Sequence, residues 1–312
     1  MSLQFDPSYF LEEEREGFVI KPMIKRAWAA QMEVLQQIDI ICKRHNIQYY
    51  AEYGTLLGAV RHQGFVPWDD DMDIGMLRKD YARFQYYAAR ELPEPFKLLS
   101  MGNHNHKEFI ARVINGYYIK TTPEHMEQFH GCPYIVGVDI FISDNIPLDP
   151  KEEDIQMELL GLVHSLGRQW EKAEMTEEEK EDCLTQVEEV CRVKFNRDEN
   201  IMRQLIDLSD KIAAMYWDVE AKEVTFMAKL FYNREYRLPI SCFESTVEVP
   251  FDQITIPIPI GYHDILTRRY GASYMTPWNY TIHGYPFYKD QEELLREHFQ
   301  EKGVPLPDWM ED

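Results

Sequence analysis

Acidic side chains collect at Asp69, Asp70, Asp71 and Asp73, inside the stretch YYAEYGTLLGAVRHQGFVPWDDDMDIGM that runs from Tyr49 to Met76. In an extended strand, side chains alternate between faces, so Asp71 and Asp73 share a face while Met72 and Ile74 take the other. Asp69 has the same parity and forms a second candidate pair with Asp71. Asp70 faces away. Carboxylates on one face repel each other unless a cation lies between them. A hard divalent ion with oxygen ligands, Mg2+ or else Mn2+, meets that need, with substrate phosphate completing its shell. A solvated acidic loop is the competing reading. The alternation of Met72 and Ile74 with the acids argues against it, because apolar residues at that period enter a core.

Upstream, Ile47 to Glu52 is β-prone, and Gly54 and Thr55 break it. Thr55 suits the N-cap of a helix through Leu56, Leu57, Ala59 and Val60, although Gly58 weakens that helix. A helix N-terminus after a glycine turn presents free backbone N–H groups and suits a phosphate. Further on, Tyr134 to Ile142 reads YIVGVDIFI, an apolar strand that carries one acid, Asp139. Burying that carboxylate is costly unless it is paired or coordinates an ion. A salt bridge to an arginine is the alternative.

GTLLGAVRHQGFVPWDDDMDIGM, residues 54–76, closely resembles the signature of the LicD family, to which the fukutin-type transferases are related. A second run, ITIPIPIGYHDILTRRYGASYMTP, resembles the family's C-terminal pattern of a strand and a helix ending in Tyr-Gly. The resemblance implies an α/β (α+β), nucleotidyltransferase-like fold: a mixed sheet flanked by helices, with a third acid from a later strand. That makes Asp139 the third catalytic and metal-binding acid beside Asp71 and Asp73, with Asp144 a weaker rival. The stretch after Asp139 departs from the family's usual Pro-Leu-Asp, reading Ile142-Ser143-Asp144. The resemblance also implies Mg2+-dependent transfer of phosphocholine, or a similar substituted phosphate, from CDP-choline or another CDP-linked donor to a hydroxyl of a cell-surface glycan, releasing CMP. The glycan would be one of lipopolysaccharide or teichoic acid type, lipid-linked in one version. Gly54 and Thr55 would then cradle the donor diphosphate. Arg61 and His62 would counter developing charge or simply anchor a loop. Trp68 would face a quaternary ammonium through cation–π attraction or plug the core. Trp170 and Trp217 are further candidates for such a cage. Transfer of an alditol phosphate or a nucleotide to a sugar is the second reading. A non-catalytic nucleotide-binding protein is the third, and the intact acids and Gly-Thr turn speak against it.

These residues need elements to hold them. Residues 21–46 predict a helix whose apolar stripe, Trp28, Met32, Leu35, Ile38 and Cys42, packs behind the acidic turn. Residues 78–91 predict another, with Tyr81, Phe84 and Ala88 inward. Strands are expected over 96–100, 109–114, 117–121 and 134–142. The Gly102 to His106 turn holds a His-x-His pair best read as surface histidines. Residues 151–232 are proline-free and helix-prone, with helices expected near 152–172, 176–194, 198–216 and 219–232. Residues 243–260 return to strand, and 262–269 form a short helix. Arg268, Arg269 and His283 could meet phosphate, with surface salt bridges an equal reading. Three segments follow: a core over 1–150 that begins with an irregular arm, an acidic helical insertion over 151–235, and a C-terminal segment over 236–312 that folds back on the core.

The chain has 312 residues and a formal net charge of −21. That length suffices for a sizeable core. The charge argues against a nucleic-acid partner and against electrostatic attachment to an anionic membrane. The 5 cysteines show no metal-type spacing and read as reduced thiols in a cytoplasmic protein. No signal peptide and no stretch of about 20 apolar residues is expected, so any membrane contact would be transient and peripheral.

Overall fold

A computed structural model describes residues 2–101, 109–170, 175–278 and 284–310. The N-terminal arm is more ordered than its sequence suggests. A 3-10 turn at Pro7–Phe10 leads into the hairpin of β1 (Glu13–Arg15) and β2 (Phe18–Ile20). The long helix forms as α1 (Pro22–His45), and the stripe from Trp28 to Cys42 is buried as expected. The strand expected over 47–52 shrinks to β3 (Tyr50–Ala51), because helix α2 (Tyr53–Arg61) starts earlier than Thr55. β4 (Asp73–Leu77) and α3 (Arg78–Glu91) follow, with Tyr81, Phe84 and Ala88 buried.

β5 (Lys97–Leu99) and β6 (Ala111–Ile114) form, whereas residues 117–121 make no strand. A short helix, α4 (Pro123–Gln128), comes next, with Pro123 in its first turn, where a missing N–H costs nothing. β7 (Gly137–Asn145) runs three residues further than 142. The helical segment holds α5 (Pro150–Trp170), α6 (Glu177–Cys191) and α7 (Ile201–Ala213). Its last part is not one helix over 219–232 but a strand, β8 (Glu223–Thr225), and a short helix, α8 (Met227–Tyr232). The β-branched pair Val224 and Thr225 favours that strand. β9 (Leu238–Pro239), the hairpin of β10 (Thr246–Phe251) and β11 (Ile254–Pro259), α9 (Tyr262–Tyr270) and α10 (Lys289–Glu301) complete the chain. The Gly102 to His106 turn and His283 lie outside the described residues.

A mixed sheet forms the centre, in the order β3-β4-β7-β6-β5, and β8 and β9 extend it beyond the end of β7. β4 and β7 are parallel, and the remaining pairs are antiparallel. Tyr50 lies opposite Gly75, where a Cβ would fall 2.2 Å from the Tyr50 ring, so glycine makes room for that aromatic. One apolar core joins α1, the sheet and the C-terminal segment. A second, from Ile146 to Leu230, fills the space among α5, α6, α7 and α8. The three-residue period of Met157, Leu160, Val163 and Leu166 builds its side of α5. Among the described residues, no helix is long and apolar enough to cross a membrane.

Candidate active site

The acidic turn is held by its backbone. From α1, the Trp28 indole N–H donates to the carbonyl of Asp69 at 3.1 Å, and the Gln31 amide donates to that of Asp70 at 2.8 Å. Trp28 also stacks on Phe65, with ring centroids 4.6 Å apart. α1 therefore supports the turn without lining the site. The strand itself begins only at Asp73, so Asp69 and Asp71 sit on the loop that feeds it.

The parity read from the sequence nevertheless holds. Asp69, Asp71 and Asp73 line one cavity of about 940 Å3, and Asp70 does not. Asp70 is fully buried on the other side, where its Oδ2 accepts from the Phe287 N–H at 2.6 Å. Oxygens of Asp69, Asp70 and Asp71 come within 4.8 Å of one another. Burial pushes the Asp73 carboxyl well above the usual carboxylate range, and the charges of Asp71, Asp139, Asp69 and Glu52 push it further. Negative charge concentrated at this point is what a hard divalent cation would relieve. Oxygen-only donors suit such an ion, and Asp73 is not one of the three whose oxygens gather that closely.

Gly54 and Thr55 divide in role. The cap of α2 is Glu52, and both residues lie in the first helical turn. Gly54 lines the cavity, and a Cβ there would come 2.1 Å from Asp69 Oδ2, so only glycine lets that carboxylate approach. Thr55 is buried and does not cap the helix. Its Oγ1 accepts from the backbone N–H of Asp73 at 2.8 Å, tying α2 to the first residue of β4. Tyr53, at the head of α2, holds a φ of 42°, a region that costs most non-glycine residues about 1–3 kcal/mol. Its ring is fixed from several sides. The Arg269 guanidinium lies 4.3 Å over it, and its hydroxyl meets that of Tyr236 at 2.7 Å. Arg269 is thus no surface residue. It is partly buried and paired with Glu52.

Asp139 stands in register with Asp73 on the neighbouring parallel strand and with Arg112 on β6. Arg112 donates to both Asp139 oxygens, the Nη2 contact being 2.7 Å. The acid is therefore next to the cluster, yet it is engaged by an arginine and does not line the cavity. Asp144 belongs to the opposite face of β7. It is buried and accepts from Arg78 at 2.6 and 2.9 Å, and burial pushes its carboxyl up to about 6 despite that arginine. It does not line the cavity.

Arg61 lines the cavity, with Nη1 donating to the Tyr274 carbonyl at 2.8 Å and its guanidinium 6.0 Å from the Trp68 ring. Trp68 lines it too, although it is buried. His62 does not line it and instead contacts Glu16 at 3.3 Å. Arg268 pairs with Asp264 on the surface of α9. Trp170 lies under Lys180, and Trp217 is exposed. Neither reaches the cavity. Sequence reasoning missed the remaining walls: Tyr53 and Phe141, Lys229 from α8, and Tyr270, Tyr274 and Trp278 near the C-terminus. Six aromatic rings, those of Tyr53, Trp68, Phe141, Tyr270, Tyr274 and Trp278, thus share a cavity with three carboxylates.

A mixed α/β sheet that presents clustered carboxylates to an aromatic cavity is the class of protein that fold and site define. Residues 46–143 match the family model described as LicD/FKTN/FKRP, nucleotidyltransferase domain. The chain is 25% identical over 255 residues to the lipopolysaccharide cholinephosphotransferase LicD of Haemophilus influenzae, covering 77% of this chain and 87% of that protein. It is 47% identical over 53 residues to an uncharacterized protein of Rickettsia typhi, 17% of each. It is also 31% identical over 62 residues to the human ribitol 5-phosphate transferase FKRP, 20% of this chain and 12% of that protein. The chain is thus similar to LicD-type proteins, and the matched segment, residues 46–143, holds Asp69, Asp71, Asp73 and Asp139.

Proposed function

We propose that this protein is a transferase that moves phosphocholine from CDP-choline to a hydroxyl of a cell-surface glycan and releases CMP. Transfer of a phosphate-linked group to a glycan is the coarser statement that its relatives support. The observation that carries the choline reading is the cavity itself. Three carboxylates stand in it with six aromatic rings, and rings of this kind attract a quaternary ammonium by cation–π interaction.

Asp71 and Asp73 would hold Mg2+, or Mn2+, with Asp139 as the neighbouring acid on the adjacent strand. Bound there, a divalent cation would neutralise phosphate charge and orient the donor. The head of α2, opened by Gly54, faces the same space and offers N–H groups to the donor diphosphate. In the transfer, the acceptor hydroxyl oxygen attacks the choline-bearing phosphorus, the bond to the bridging oxygen breaks, and CMP leaves. The hydroxyl proton must go to a base. Asp139 is poorly suited because both its oxygens accept from Arg112. Asp69 lines the cavity and is the better placed acceptor. We place the reaction in the cytoplasm, where CDP-linked donors are made, with transient contact at a membrane when the acceptor is lipid-linked.

The test is CMP release from CDP-choline and from CDP-ribitol, with Mg2+ and with EDTA, for wild type, Asp71→Asn and Asp73→Asn. Metal-dependent release selective for CDP-choline and lost in both variants is the expected result. Selectivity for CDP-ribitol would transfer the reading to alditol-phosphate transfer, which the FKRP match favours.

A further inference from the structure

The cavity wall contributed by the helical segment carries a residue for which the acidic turn gives no explanation. Lys229 lines the cavity from α8, and its side chain is exposed there. Among the described lining residues, the cationic side chains are Arg61 and Lys229. Arg61 is committed to the wall, through its bond to the Tyr274 carbonyl and its place over Trp68. The Lys229 ammonium makes no ion pair or side-chain hydrogen bond with any described residue. This is unusual in its setting. The chain carries 54 acidic residues against 33 basic ones, and three further arginines of the core are ion-paired: Arg112 with Asp139, Arg78 with Asp144, Arg269 with Glu52.

The position of Lys229 is nonetheless fixed. Its backbone N–H donates to the Phe226 carbonyl at 2.8 Å. The Phe226 ring packs edge-on against Phe141 at 5.3 Å, and Phe141 packs against Tyr53 at 4.6 Å. This aromatic chain sets α8 beside the head of α2. A donor diphosphate entering a cavity with Asp69, Asp71 and Asp73 meets like charge, and a divalent ion offsets only part of it. A mobile ammonium on an exposed stem suits phosphate oxygens that a metal leaves uncovered.

We propose that Lys229 binds the phosphate of the nucleotide-linked donor and that supplying this cation is one function of the helical segment. The inference rests on the donor reading given above. The test is calorimetric binding of CDP-choline and CDP-ribitol in Mg2+ to wild type, Lys229→Met and Lys229→Arg. Lys229→Met keeps most of the aliphatic stem, and because the residue is exposed, both variants should fold. The expected result for Lys229→Met is a Kd raised about tenfold, the scale of one charge-assisted hydrogen bond. Lys229→Arg should remain near wild type, and added salt should weaken wild type more than Lys229→Met. Tight binding by wild type with an unchanged Kd in Lys229→Met would overturn the role of Lys229 and leave the donor reading standing. Failure of wild type to bind either donor would overturn the donor reading and this inference with it.

Discussion

The sheet core and the helical core solve the problem of buried charge differently. In the sheet region, carboxylates at Asp69, Asp71 and Asp73 crowd one cavity, and Asp73 has its carboxyl raised by burial and by its neighbours. In the helical region, the buried acid Glu188 is paired and a helix start is capped. Thr176 and Glu179 form a reciprocal cap at the start of α6, and Glu188 accepts from Lys194 at 2.8 Å and from the Phe195 N–H at 2.8 Å. One region stores electrostatic strain where substrate would relieve it, and the other removes it. Such strain collects at functional sites because stability there is given up for activity. The two cores are joined by Arg78, which donates to Asp144 of β7 and, at 2.7 Å, to Asp210 of α7. Phe109 and Met202 also touch both.

The contrast breaks most sharply at the aspartates. Asp71→Asn and Asp73→Asn should each lower donor turnover about a thousandfold, the scale of one electrostatic group at a transition state. Measured without added metal, the thermal midpoint of Asp73→Asn should rise, because a repelled buried charge is removed. A fall in that midpoint would mean the cluster is not strained.

Next in size is the joint between the cores. Arg78→Met leaves Asp144 buried without its cation and should cost about 3–5 kcal/mol in denaturant unfolding. If the cores are independent, the loss should appear in one of two transitions and not in a single cooperative one.

Gly54→Ala sharpens the comparison within the sheet region. Its Cβ would displace the Asp69 carboxylate, and a shift of about 1 Å at a reacting centre can cost about a hundredfold in kcat. The circular dichroism spectrum should be unchanged. Wild-type kcat in this variant would show that the Asp69 position does not matter.

The smallest effect lies in the helical region. Glu188 is lowered from the ordinary 4.5 of a glutamate to about 2 by Lys194, Arg197 and the Phe195 N–H. A depressed carboxyl contributes stability that is present above about 4.5 and lost as pH falls toward 2. Between pH 5 and pH 3, the thermal midpoint of wild type should therefore fall more than that of Glu188→Gln. Parallel curves would remove Glu188 from the account.

The acidic motif was legible because a period of two residues is a local property. Parity alone separated Asp69, Asp71 and Asp73 from Asp70, and the cavity keeps that division. The α1 and α3 stripes were legible for the same reason at helical period. Thr55 was misread as a cap, because its hydroxyl bonds Asp73 across the fold and not its own helix. Asp139 was found, but its arginine was not, since Arg112 meets it only by strand register. Residues 219–232 were misread as helix, because β8 forms by pairing with the far end of β7.

By itself, then, the sequence determined the carboxylates, the glycine that admits one of them, the helices behind them and the likeness to LicD-type proteins. All of these depend on residue type and on spacing within a few turns of chain. Only the tertiary structure decided which aromatic rings face the acids, that Arg112 holds Asp139, and that Lys229 enters the same cavity. The physical reason is that such groups lie far apart in the chain, and their meeting is set by sheet order and core packing, which no local period encodes.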